Sequence, residues 1–135
     1  MDFAAVDFVA CLVAAVAAYA FGAAWYMSLA KAWVAAVGKS EAELKANASP
    51  VTYLVTALAL LVMAVVLATI WGGGLATASL TDVLRTSIIL WVGFILTTLA
   101  VNHAYQGRKR SLTVIDGGYW LGVLLIEGVV LWLFA

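Results

Sequence analysis

The sequence predicts an all-α polytopic membrane protein: an antiparallel bundle of four transmembrane helices, with a short amphipathic helix in the first connection. Three observations carry that prediction. Four apolar stretches, 3–30, 51–71, 84–105 and 114–135, fill most of the chain, and each approaches or exceeds the roughly 20 residues a helix needs to cross about 30 Å of hydrocarbon. Only 10% of the 135 residues are charged and the mean hydropathy is +1.12. Soluble domains carry about 25% charge, so a water-facing surface cannot be built from this supply. Finally, helix starts and stops fall at the ends of the apolar stretches, as they must if each stretch is one rod. Four spans and three connections fill residues 1–135 as a single transmembrane domain, which leaves no room for a soluble catalytic one.

The first span carries small residues at every fourth position, Ala10, Ala14, Ala18 and Gly22. That spacing places them on one helical ridge, where another backbone can approach closely in lipid. A signal peptide opens with a positive segment, but here Asp2 and Asp7 precede any cation and the run is long, so it reads as a retained span. Gly38 is expected to end it. Ser40 and Glu43 fit a capping box that opens a short surface helix over Glu41 to Ala46. Ser49-Pro50 restarts the chain, since proline is tolerated in a first helical turn. The second span stops at Trp71, where Gly72-Gly73-Gly74 make a flexible turn. Ser79 or Thr81 caps the third span, with Asp82 in its first turn, where the helix dipole favours a negative charge. Gly107 closes that span. Thr113 and Asp116 fit a second capping box at the start of the fourth, in which Gly118 and Gly122 form a further small-residue packing ridge.

Net charge is zero, with seven basic and seven acidic side chains, and no basic patch suggests nucleic acid. Lys31, Lys39 and Lys45 lie in the first connection, and Arg108, Lys109 and Arg110 in the third. Only Arg85 lies on the other side. This asymmetry predicts an inner-membrane, multi-pass protein with both termini away from the cytoplasm. Trp25, Tyr26 and Trp33 are expected in the inner aromatic belt, and Trp71 and Trp132 in the outer one. Trp91 and Trp120 lie deeper, where each indole N–H needs a packing partner or a substrate to meet. Cys11, the single cysteine, is expected to pack as a small apolar residue.

Glu127 is the most pointed residue. It sits roughly 12 Å from the end of its helix at about 1.5 Å per residue, close to the bilayer centre. An ionised group there costs at least about 2.5–3.5 kcal/mol, so Glu127 must be protonated, paired or wet. Asp116 lies eleven residues earlier, a rotation of about 100° per residue that returns nearly to the same angle. Asp116, Trp120, Val123 and Glu127 therefore share a face. Depth suggests two contacts between the third and fourth spans: Arg85 with Glu127, and His103 or Asn102 with Asp116. These are either structural clamps or stations on a proton or cation route. Thr98 and Asn102, four apart, offer hydrogen bonds to a neighbouring helix.

No His and Cys spacing suits zinc. There is no nucleophile turn, phosphate loop or haem attachment motif. No cofactor is implied and no enzyme is expected.

Two segments carry a family resemblance. Phe21-Gly22-Ala23-Ala24-Trp25-Tyr26-Met27-Ser28 with Lys31-Ala32-Trp33, and Gly117-Gly118-Tyr119-Trp120-Leu121 through Trp132, resemble the first and closing helices of a family of small bacterial and fungal membrane proteins known as domain of unknown function 1761. Size, four spans and the polar linker after the first span also fit. The resemblance implies a compact four-helix membrane fold and brings no activity, substrate or catalytic residue. The chain departs from the family pattern at Met27-Ser28-Leu29, where Ser-Pro tends to follow the tyrosine, and at Glu127, where an apolar residue is more usual.

The function expected from these residues is non-enzymatic binding of a lipid, a small apolar ligand or a protein partner. The alternative is a small proton-coupled transporter or channel using Glu127. The bilayer is the first partner, and the pattern admits a homo-oligomer.

Overall fold

A computed structural model describes residues 6–135, which are helical with no strand among them. The helices are α1 (Phe8–Ser28), α2 (Ala30–Val37), α3 (Glu41–Asn47), α4 (Pro50–Trp71), α5 (Leu80–Leu90), α6 (Thr97–Tyr105) and α7 (Arg110–Phe134). A 3-10 segment, Gly72–Thr77, follows α4, and a π-helical segment, Trp91–Leu96, joins α5 to α6. Four stretches are long and apolar enough to cross a membrane: Phe8–Ser28, Pro50–Thr77, Leu80–Tyr105 and Arg110–Phe134. Large apolar side chains such as Val62, Phe94 and Val101 are exposed on these stretches, a surface suited to lipid.

Local chemistry sets the helix ends. Asp7 caps α1 by accepting from the amides of Val9 and Ala10, so the helix begins at Phe8; the Phe3–Ala5 part of the expected span lies outside the described residues. Leu29 interrupts the helix and Gly38 closes α2 at φ +71°, a left-handed conformation that costs glycine nothing. The Ser40–Glu43 capping box opens α3, and Ser49 caps α4 with Pro50 in its first turn. The three glycines wind into the 3-10 segment rather than a loose turn. Ser79 and Asp82 form a capping box on α5.

Two expectations need correction. The Thr113–Asp116 box is absent: α7 starts a turn earlier, at Arg110, after Gly107 turns the chain at φ +62°. Thr113 and Asp116 are thereby carried inside the helix and freed to meet other elements. The π segment was not anticipated. Its widened turn displaces backbone carbonyls from the α-helical pattern, and in lipid such groups must find donors within the protein. Thr97 and Thr98 supply them, donating to the carbonyls of Gly93 and Phe94 at 2.9 and 2.5 Å. Thr98 is thus occupied within its own helix and does not bridge to another.

The last helix is the hub. α7 packs on α1, α4 and α5, and α1 packs on α4. Lipid is as apolar as leucine, so what holds these helices is close dispersion contact rather than escape from water. The small-residue ridge provides that approach: Ala10, Ala14, Ala18 and Gly22 are all buried. Gly118 and Gly122 serve α7 in the same way. A methyl group on Gly118 would meet the Trp25 ring at 2.8 Å, and one on Gly122 would collide with Phe21. Along this seam the numbers run in opposite senses, Phe21 against Gly122 and Trp25 against Gly118. Beyond it, Arg108 and Lys109 donate to the carbonyls of Val37 and Ala35 at 3.0 and 2.8 Å. The cation-bearing third connection therefore sits on the C-terminal carbonyls of α2, where the helix dipole favours positive charge. At the other end, Trp132 donates to Ala78 at 3.0 Å.

Candidate functional site

The buried ridge of α7 is Ile115, Tyr119, Val123, Glu127 and Leu131, each 9% exposed or less. Four-residue spacing aligns them on one stripe. Asp116 and Trp120 flank that stripe and are half-buried, so the face shared by Asp116, Trp120, Val123 and Glu127 is only partly a core face.

At the end of the molecule near Arg108 and Lys109, a polar cluster links three helices. Tyr26 of α1 donates to Asp116 Oδ1 at 2.9 Å. The second oxygen, Oδ2, faces His103 Nε2 of α6 at 3.9 Å, within ion-pair reach once the imidazole is protonated. His103 Nδ1 shares a hydrogen bond with Thr113 Oγ1 at 2.9 Å. His103 is therefore the partner on the third span; Asn102 is exposed and outside the cluster. Tyr26 was assigned above to an interfacial belt. Instead it continues the Ala14, Ala18, Gly22 ridge by four residues, and that extension is the signal that could have placed it. Trp25 likewise turns inward, donating to the Ile115 carbonyl at 3.1 Å.

Beside the cluster, α1, α4 and α7 enclose a lateral groove of about 590 Å³. Tyr19, Tyr26, Trp33, Tyr53, Tyr119 and Trp120 line it, with Ala59 and Thr56 from α4. The rings brace one another: Tyr119–Trp120 centroids are 4.8 Å apart, Tyr26–Tyr119 5.1 Å and Tyr26–Trp33 5.6 Å. Tilted and edge-on aromatic pairs of this kind each contribute about 0.5–1.5 kcal/mol beyond area, so the wall is preformed. Trp120 stands in that wall. Trp91, by contrast, is held by its indole N–H on the Gly117 carbonyl at 2.8 Å, a packing role.

Glu127 is fully buried. Neither carboxylate oxygen has a hydrogen-bond partner among the described residues. The expected clamp with Arg85 is not formed. Arg85 is exposed on α5, while the side of α5 that meets α7 presents Val83 and Ser87, both packed around Gly128. Ser87 donates to the Leu124 carbonyl at 3.1 Å. Gly128, not anticipated as a packing residue, is what lets α5 come so near: a methyl there would stand 2.9 Å from Ser87 Oγ and 3.0 Å from Val83 Cγ1. An arginine in that tight crossing has no room to turn inward. Cys11 is buried as a free thiol. Among the described residues no set of three His, Cys, Asp or Glu side chains comes together for a metal ion.

No curated protein and no solved structure matches the chain. The family model described as protein of unknown function (DUF1761) matches residues 9–132, and on that match over nearly its whole length the chain belongs to this family.

Proposed function

We propose that this chain is a non-enzymatic membrane protein, an antiparallel four-helix bundle that takes an apolar molecule from the lipid phase into the aromatic groove between α1, α4 and α7. The supporting observation is the groove itself: about 590 Å³, walled by six aromatic side chains and opening sideways between membrane-length helices. Ligand sites are concave, largely apolar and carry a few polar groups that fix orientation. Here Tyr26, held on Asp116, supplies such a group at the groove's wall. A flat or unsaturated apolar body stacks on Tyr119 and Trp120, and a polar end group meets the Tyr26 hydroxyl. In this reading the two cationic connections lie together on the cytoplasmic side of the inner membrane. The opposed numbering along the α1–α7 seam and the bonds from Arg108 and Lys109 to the end of α2 support that arrangement.

The test is photolabelling in phosphatidylcholine nanodiscs with a fatty acid carrying a mid-chain diazirine. The expected adducts fall on Tyr19, Tyr53 and Trp120. Ala59→Phe, which fills the groove, removes them and leaves labelling of the lipid-facing Val62 and Phe94 unchanged. Adducts spread evenly over all lipid-facing residues, and unaltered by Ala59→Phe, would overturn the reading.

A further inference from the structure

At the end of the molecule away from the polar cluster, α1, α4, the 3-10 segment and α7 leave a crevice of about 220 Å³. Asp7 stands on its wall, and Ala10 and Leu131 line it on the α1 and α7 sides. Leu131 is four residues from Glu127, one helical turn or about 6 Å along α7. Ala10 precedes Cys11, which is fully buried on α1. The fully buried, unpartnered carboxyl of Glu127 therefore lies one turn beneath a crevice that carries an exposed carboxylate.

The rest of its surroundings offers no counter-charge. On its own helix the nearest titratable residue, Tyr119, stands about two turns away. On α1 it is Cys11, with Asp7 at the crevice. From α5 come Val83 and Ser87, the latter already bonded to Leu124, and α4 brings Leu67, all three packed around the adjacent Gly128 and without charge. The cation of α5, Arg85, faces outward. A structural carboxyl is normally given hydrogen-bond partners, because an unpaired buried polar group is costly. One left bare, one turn from an opening, is poised to exchange a proton.

We propose that Glu127 is a proton-binding site loaded and unloaded through the crevice beside Asp7. In unloading, the carboxyl O–H bond breaks, the electron pair stays on Glu127, and the proton passes to water in the crevice, where the Asp7 carboxylate is the first fixed acceptor. Loading is the reverse. Because the carboxylate has no partner, unloading and wetting of the α1–α7 seam above Glu127 are one event. This inference does not depend on the aromatic groove being occupied.

The test uses the whole chain in phosphatidylcholine nanodiscs, read by infrared spectroscopy after labelling with ¹³C-glutamate. The sequence holds three glutamates, Glu41, Glu43 and Glu127, and the first two are exposed on α3, so a protonated-carboxyl band at neutral pH reports Glu127. The expected result is a labelled band that shifts promptly on transfer to D₂O and disappears reversibly as pH is raised. It should be missing in Glu127→Gln and retained in Asp116→Asn. Ala76→Leu, which narrows the crevice from its exposed 3-10 side, should slow the deuterium shift while thermal unfolding and the groove photolabelling stay as in the unmodified chain. Two results would overturn the proposal: no protonated band at neutral pH, or a band that does not shift over hours in D₂O. The wild-type reading stands even if a variant fails to fold. An unchanged deuterium rate in Ala76→Leu would overturn the crevice route.

Discussion

Asp116 and Glu127 stand eleven residues apart on one helix, and the chain treats them in opposite ways. Asp116 is half-buried, accepts from Tyr26 at 2.9 Å and faces His103 at 3.9 Å. Glu127 is fully buried and accepts from nothing among the described residues. The difference lies in what the neighbouring helices bring to each depth. Near Asp116, α1 and α6 contribute a phenol and an imidazole. Around Glu127, α1, α4 and α5 contribute alanine, leucine, valine and a serine whose hydroxyl is already engaged. A carboxyl with partners is part of the joinery. A carboxyl denied them in a core this close-packed is better explained by an exchange of protons than by stability.

The contrast depends on the α1–α7 seam closing, so the largest effect should come from prising it open. Gly122→Leu places a side chain where the Phe21 ring lies. Overpacking of this kind costs about 1–3 kcal/mol and occasionally more, and with lipid as the competing solvent nothing offsets it. We expect about 3 kcal/mol lower stability in reversible SDS unfolding, together with loss of the Tyr26–Asp116 bond. Unchanged unfolding would mean that the seam is not the main contact.

Replacing each carboxyl then separates the two by sign. Glu127→Leu removes an unpaired buried polar group and keeps the volume similar, so stability should rise by about 1–3 kcal/mol. Tyr26→Phe does the reverse at the other carboxyl: it removes a donor and leaves Asp116 short of a bond, at a cost of about 1 kcal/mol. A double-mutant cycle of Tyr26→Phe with Asp116→Asn should return a coupling near the average for interhelical hydrogen bonds in lipid, about 0.6 kcal/mol. If Glu127→Leu instead destabilised as strongly as Tyr26→Phe, Glu127 would have a partner after all and the comparison would fail.

Span positions and helix starts were legible from sequence because hydropathy and capping act within a few residues. Ser40 with Glu43, Ser49 with Pro50, and Ser79 with Asp82 each announce a helix locally. Pairings between helices were legible only where a ridge of small residues marks the contact, as along Ala10, Ala14, Ala18 and Gly22. Depth alone misplaced Arg85, because depth does not say which side of α5 turns toward α7; Gly128, by admitting Val83 and Ser87, decides that. The apparent Thr113–Asp116 box misled because its spacing also occurs inside a helix, and the true start was set by Gly107 one turn earlier. The π segment had no clear local signal beyond Gly93 between bulky residues. Tyr26 and Trp25 read as belt residues since aromatic composition near a span end suits both a belt and a seam.

The smallest expected effect lies outside the membrane, and it tests whether carboxyl partnership alone sets these behaviours. Glu43 is exposed on α3, yet it accepts from the Ser40 amide and hydroxyl, both at 2.9 Å. Those bonds hold its carboxyl below the ordinary value of 4.5. With a depressed folded value, the stabilisation of α3 is present in full above the ordinary carboxylate range and fades as pH falls through the lowered folded value. Protection of the α3 amides, taken relative to intrinsic exchange at each pH, should therefore be greatest at neutral pH and fall in acid, and Ser40→Ala should lower it at both. The same acid shift should leave the protection of the amides around Glu127 unchanged, because a carboxyl that carries its proton at rest, as proposed for Glu127, has nothing further to gain from acid. Equal acid sensitivity in the two regions would show that Glu127 is ionised in the resting protein, contrary to the contrast drawn between it and Asp116.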